Sequence, residues 1–197
     1  MLQVARHDQH KYIDVFVILA LTTGMRRGEL LGLHWQQVDF EHKELHVRYG
    51  VQKIGATLRI AEPKTECALR TIPLSDIALE ALDKQRKRIE SKRLRKGERW
   101  EDQDLVFPTH DGGIMDPSVL HNSFKYWLKR HRFPDINVHM MRHIAATYLM
   151  SQGVAVNVVQ RILGHSAPTI TMTVYGHALT EFKKKAVEHF DCLYEEE

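Results

Sequence analysis

Residues 139–175 contain the side chains needed to hold and attack a phosphate. His139 and Arg142 are three apart, Gly164-His165 follows, and a lone Tyr175 stands before Gly176. On a helix, positions i and i+3 share one side, so His139 and Arg142 would point the same way. A guanidinium fork matches two phosphate oxygens, an imidazole moves protons near neutral pH, and a phenol is a nucleophile once deprotonated. Upstream, TGMRRGEL sets Arg26 and Arg27 at the start of a helix. Backbone N–H groups and the helix dipole favour anions there. Each residue also has a plainer explanation. One of the two arginines can pair with Glu29 while the other faces water. Tyr175 can be a core aromatic with a satisfied hydroxyl, and Lys64, in the connection EPKTEC, can simply be solubilising. His139 and His143 have a zinc-compatible i, i+4 spacing, but no third ligand is evident and Met140 stands where HExxH needs its glutamate. No metal and no cofactor are therefore expected.

These groups must be positioned by a mostly helical chain. Ile13, Phe16, Val17, Ala20 and Leu21 fall on one helical stripe that Gly24 would end. A second helix is expected through Glu29, Leu30 and Leu33, ending near Trp35. ELHVRYGV, TLRIAE and ALRTIPL then alternate with period two, which predicts a small antiparallel three-stranded sheet. Ser75 caps a long helix with Ala78, Leu82 and Ile89 inward, and Asp116-Pro117 opens another with Leu120, Phe124, Trp127 and Leu128 inward. Met141, Ile144, Ala145, Tyr148 and Leu149 predict the helix that carries His139 and Arg142, ended by Gly153. Val158, Val159, Ile162 and Leu163 predict the next, ended by Gly164. The β-branched residues Thr169, Ile170, Thr171, Thr173 and Val174 are mediocre helix formers, so Tyr175 is expected on a weakly stable element. The fold class is α+β: a single, mostly helical domain with a small antiparallel three-stranded sheet.

Composition narrows the classes. With 197 residues and 43% hydrophobic content the chain can bury a core, which excludes a disordered segment. The longest apolar run, residues 15–21, is about a third of the ~20 residues a membrane span needs, so no membrane role is expected. Two cysteines, Cys67 and Cys192, offer no disulfide framework and suit a reducing interior. A net charge of +3 is only mildly basic. Nine cations cluster between Lys84 and Arg99. They read as the exposed side of a helix and its exit loop, either solvated or facing phosphates.

The chain resembles the catalytic domain of the tyrosine recombinases, the phage-integrase family. TGMRRGELLGLHW resembles that family's first block, with Arg26 and the acidic Glu29. EPKTECALRTIPL resembles the hairpin with the catalytic lysine, here Lys64. HMMRH matches the His-x-x-Arg block at His139 and Arg142, and ILGHSAPTITMTVYGH supplies His165 and Tyr175. The match runs in order from about residue 10 to 190. Departures occur at Cys67, Ala68, Met140, Met141 and Ile144, none at the six key positions. The resemblance implies a tyrosine-recombinase catalytic fold over residues 1–197, with a C-terminal tail helix at about residues 178–193. It also implies that the family's N-terminal DNA-clamping domain is absent from this chain, a piece of a longer integrase.

By that resemblance, Arg26 and Arg142 hold the non-bridging oxygens and Tyr175 attacks to give a covalent 3′-phosphotyrosine. Lys64 protonates the departing 5′ oxygen, His139 acts as acid or base near the tyrosine, and His165 donates a hydrogen bond to the phosphate. The implied partner is double-stranded DNA with specific recombination sites. The implied assembly is a homo-tetramer on DNA and a monomer when free, in a bacterial cytoplasm, acting for a phage or mobile element. A type IB topoisomerase and a DNA-binding module with a dead site are the alternatives. Small size and the spacing from LGH to Tyr175 favour a recombinase, and six intact positions argue against a dead site.

Overall fold

The computed structural model describes residues 1–8, 12–63 and 68–164. The elements run α1 (Leu2–His7), α2 (Ile13–Thr23), α3 (Arg27–Leu31), β1 (Val38–Asp39), β2 (Glu44–Val47), β3 (Gly50–Ile54), β4 (Thr57–Ala61), β5 (Arg70–Pro73), α4 (Asp76–Lys96), α5 (Pro117–Arg130), α6 (Val138–Ser151) and α7 (Val156–Leu163). Among the described residues no helix is long and apolar enough to cross a membrane. The expected weak element before Tyr175 and the expected tail helix lie outside the described residues.

Helix α2 is the axis of the domain, packed by α1, α4 and α6. The stripe expected on one face understates it, because Val15, Ile18 and Leu19 are buried as well as Phe16 and Val17. A helix apolar all round belongs inside. Phe16 meets Phe107 and Phe124 edge-on, at ring-centroid distances of 6.0 and 6.4 Å. The polar exception is Asp14, fully buried near the start of α2. Arg88 grips its carboxylate with Nη1–Oδ1 at 2.7 Å and Nη2–Oδ2 at 2.8 Å, and Lys84 adds Nζ–Oδ2 at 2.8 Å. Those two cations of the basic run therefore turn inward and fix α4 on α2. Arg86, Lys87, Arg93 and Lys96 pair with Glu90, Asp83, Asp102 and Asp111. Much of the run is spent within the protein.

Two of the alternating segments join the short β1 in an antiparallel three-stranded sheet of order β1-β2-β5, with Leu45 opposite both Val38 and Ile72, and TLRIAE is not part of it. A separate two-stranded hairpin, β3-β4, pairs Val51 with Ile60. ELHVRYGV is thus not one strand: it breaks at Arg48-Tyr49 and contributes to both sheets. The physical reason is the seat of β3 on α3. A Cβ on Gly32 would lie 2.8 Å from the Cα of Gly50, and one on Gly28 would lie 2.8 Å from the Val51 carbonyl oxygen. The hairpin crosses α3 backbone to backbone, and only glycine allows that approach. Lys53 Nζ, 2.8 Å from Asp116 Oδ2, ties the same hairpin to the N-cap of α5. The Lys53 hydrogen bond and the Ser118 backbone N–H pull the pKa of Asp116 down to about 2.

Helix α3 is shorter than expected, ending at Leu31, with a 3-10 turn at Trp35–Gln37 taking over. Helix α6 is rolled relative to the predicted stripe. Val138, Met141, Arg142, Ala145, Ala146 and Met150 face inward, whereas Ile144 and Tyr148 are exposed. The roll has a cause: α6 turns the charged Arg142 toward α2, so apolar residues one step round the helix face solvent. Helix α7 packs Val159 and Leu163 on Ala146 and Met150 of α6, leaving Val158 outside.

Candidate active site

The site forms where α2 ends. Gly24 closes α2 in the left-handed region (φ 61°), with its N–H on the Ala20 carbonyl at 3.2 Å. A Cβ there would lie 2.3 Å from Leu163 Cδ2, so the position is fixed by φ and by packing against the end of α7. The Gly24 carbonyl accepts from Arg142 Nη1 at 2.8 Å. Arg142, 2% exposed, is thereby aimed from the first turns of α6 across the end of α2. Asn137 caps α6 by accepting from the Met140 N–H at 2.8 Å, which sets where that first turn begins.

Arg26 is the N-cap residue of α3. Its backbone N–H donates to Glu29 Oε2 and its Nη1 to Glu29 Oε1, both at 2.8 Å. Its Nη2 donates to the carbonyl of Gly164 at 3.1 Å, at the C-terminal end of α7. The plain pairing with Glu29 therefore occurs, but it is not exclusive. Arg70, at the start of β5, approaches the same carboxylate from the other side, with Nη2–Oε2 at 2.8 Å and Nη1–Oε1 at 3.2 Å. Arg70 Nε also donates to the Ile162 carbonyl at 2.7 Å, and Nη1 to that of Ala68 at 3.0 Å. Burial pushes the Glu29 carboxyl up, but the hydrogen bonds and charge of Arg70, with those from Arg26, outweigh it and hold the pKa below its ordinary value.

His139 sits on the exposed side of α6, its ring edge-to-face with His143 at 4.7 Å between centroids. Partial burial, then the charges of His143, Arg142 and Arg26, push its pKa below the ordinary histidine value. Arg26, Gly28, His121, His139 and Arg142 line one cleft. Three of the six sequence candidates, Arg26, His139 and Arg142, thus converge. Lys64, His165 and Tyr175 lie outside the described residues. In the sequence, Lys64 precedes β5, which begins at Arg70, and His165 follows Gly164, the C-cap of α7. Arg70 and His121 were missed in the sequence. His121 shares its helix with the apolar stripe of α5 and carries no motif. Arg70 reads as an ordinary polar position of an alternating strand.

The phage integrase family model matches residues 1–181. A XerC-like tyrosine recombinase of Caldanaerobacter subterraneus is 34% identical over 194 residues, covering 92% of this chain and 50% of that protein. The ICEBs1 integrase of Bacillus subtilis is 26% identical over 178 residues, covering 90% of this chain and 48% of that protein. The chain spans about half the length of these curated relatives. In fold it resembles the Tn1549 transposon integrase solved with transposon right end DNA, at TM-score 0.78 and 24% identity over 95% of this chain and 62% of that one. The XerA recombinase gives TM-score 0.67 at 23% identity, over 94% of this chain and 61% of that one. With its motifs in order, its mostly helical fold with small antiparallel sheets and a match across most of its length, the chain belongs to the phage integrase family.

Proposed function

We propose that this chain is the catalytic part of a site-specific DNA recombinase that cuts and rejoins strands through a covalent 3′-phosphotyrosine, for integration or excision of a mobile element. The observation that carries the reading is the cleft in which Arg26 and Arg142 meet His139. Two guanidiniums can hold the non-bridging oxygens of one phosphodiester as charge builds on them, a contribution of about 10²–10³-fold per donor. His139 leans to its neutral form and can accept a proton at neutral pH.

In the proposed reaction the Tyr175 hydroxyl attacks phosphorus in line and His139 takes its proton. The P–O bond to the tyrosine forms as the bond to the 5′ oxygen breaks, and Lys64 protonates that leaving oxygen. His165 hydrogen-bonds the phosphate. Reversal with the 5′ hydroxyl of another strand rejoins the DNA, and the retained phosphoester energy makes ATP unnecessary. The domain extends over residues 1–197, with residues 178–193 as a tail helix that docks on its own domain or on a neighbouring protomer of a tetramer on double-stranded DNA, in a bacterial cytoplasm.

The test is a suicide duplex built from the DNA flanking the gene and nicked beside the cleavage position. A covalent protein–DNA band is expected, absent in Tyr175→Phe. No band with any flanking sequence would sink the proposal. Relaxation of a generic supercoiled plasmid without a specific site would point to a topoisomerase instead.

A further inference from the structure

Glu29 holds two cations, and it holds them unequally. Arg70 is 5% exposed, and its donors are consumed inside the protein by both oxygens of Glu29 and by the carbonyls of Ile162 and Ala68. Arg26 is 41% exposed and lines the cleft. Two guanidiniums against one carboxylate leave one positive charge, and burial decides which arginine keeps it. A bidentate, doubly hydrogen-bonded pair removed from water is the tighter of the two. Glu29 is thus neutralised mainly by Arg70. Without Arg70 the carboxylate would be satisfied by Arg26 alone, and the cleft would lose its net charge on that side.

We propose that Arg70 is a positioning residue whose guanidinium neutralises Glu29 and so leaves the charge of Arg26 for a DNA phosphate in the cleft. This rests on the reading of the cleft as a phosphodiester site. The same side chain binds the carbonyls of Ala68, just before β5, and of Ile162, near the end of α7, so it also ties β5 to α7. Lysine carries the charge but lacks the planar fork that reaches three receptors at once.

The test uses the whole chain and a random-sequence duplex, with affinity measured by fluorescence anisotropy across a series of KCl concentrations and folding checked by circular dichroism. Arg26→Met defines the loss of one phosphate contact: a salt slope smaller by about 0.9 and affinity lower by about tenfold. Arg70→Met is expected to match it although Arg26 is still present. Glu29→Gln/Arg70→Met is expected to recover the wild-type slope, because no carboxylate is left to claim Arg26. Arg70→Lys is expected to keep the slope while melting earlier. A purely structural role would leave the double variant no better than Arg70→Met and would group Lys with Met. Should Arg70→Met fail to fold, a double variant binding like Arg26→Met overturns the proposal. Covalent capture on the suicide duplex separates the two readings. An adduct with an unchanged slope in Arg70→Met overturns only the role of Arg70, and no adduct with the expected slopes overturns only the enzyme.

Discussion

The two ends of α2 carry the same arrangement with different outcomes. Near its start, Asp14 takes two cations, Arg88 through both Nη atoms and Lys84 through Nζ. Just beyond its end, Glu29 takes Arg70 through both Nη atoms and the Arg26 side chain through one. Each buried carboxylate is outnumbered. In each case the second cation also donates to a backbone carbonyl, Lys84 to that of Asp8 at 3.0 Å and Arg26 to that of Gly164 at 3.1 Å. At the Glu29 end the second cation lines a cleft opposite Arg142. Both ends face an opening, and what differs is the company: Lys84 and Arg88 line a groove with Lys87, Lys92 and Arg95, whereas Arg26 shares its cleft with His139 and Arg142.

This contrast can be broken most severely at Asp14. Asp14→Ala strands two partly buried cations, and a loss of about 3–5 kcal/mol is expected in urea denaturation. Cleavage by the protein that remains folded should be unchanged; a matching loss of rate would erase the difference between the two ends. Arg26→Ala should do the reverse. It leaves the buried Glu29–Arg70 pair intact, so stability should move by about 1 kcal/mol or less. Covalent capture should slow by about 10²–10³-fold.

Acid separates the ends more gently. The folded pKa of Glu29 is lowered, so its contribution is full above the unfolded value of about 4.3 and is lost as pH falls through the folded value. Glu29→Gln should flatten the acid limb of a stability–pH curve, and an unchanged limb would count against the pairing. His139 has the opposite chemistry. Its lowered pKa means the unfolded chain binds the proton more readily, so its effect on stability appears as pH falls below about 6.5. Cleavage should decline at a lower pH than an ordinary histidine would dictate, and a rate already falling between pH 8 and about 7 would contradict a lowered His139 pKa. Gly32→Ala should cost about 1–3 kcal/mol in urea denaturation from the close approach to Gly50.

What could be read in the sequence was what depends on neighbours in sequence. Helix ends at Gly24 and Gly164, the Asp116-Pro117 start and the shared turn of His139 and Arg142 all follow from spacing within a few residues. What could not be read depends on distant partners. Arg70 meets Glu29 across 41 positions, and Asp14 meets Arg88 across 74. Neither pairing leaves a periodic trace. The roll of α6 was hidden for the same reason, because a buried arginine looks polar until its carbonyl partner on α2 is known. The break in ELHVRYGV was hidden because glycines in another element cause it.

The contact of α3 with β3 has a mechanical consequence. Where side chains separate two elements, they can slide by changing rotamers. Between Gly28, Gly32 and Gly50 there is no such layer. The joint is a weld rather than a bearing, so a push on the hairpin tip at Ile54, 62% exposed, is delivered undamped to the helix whose first residue follows Arg26.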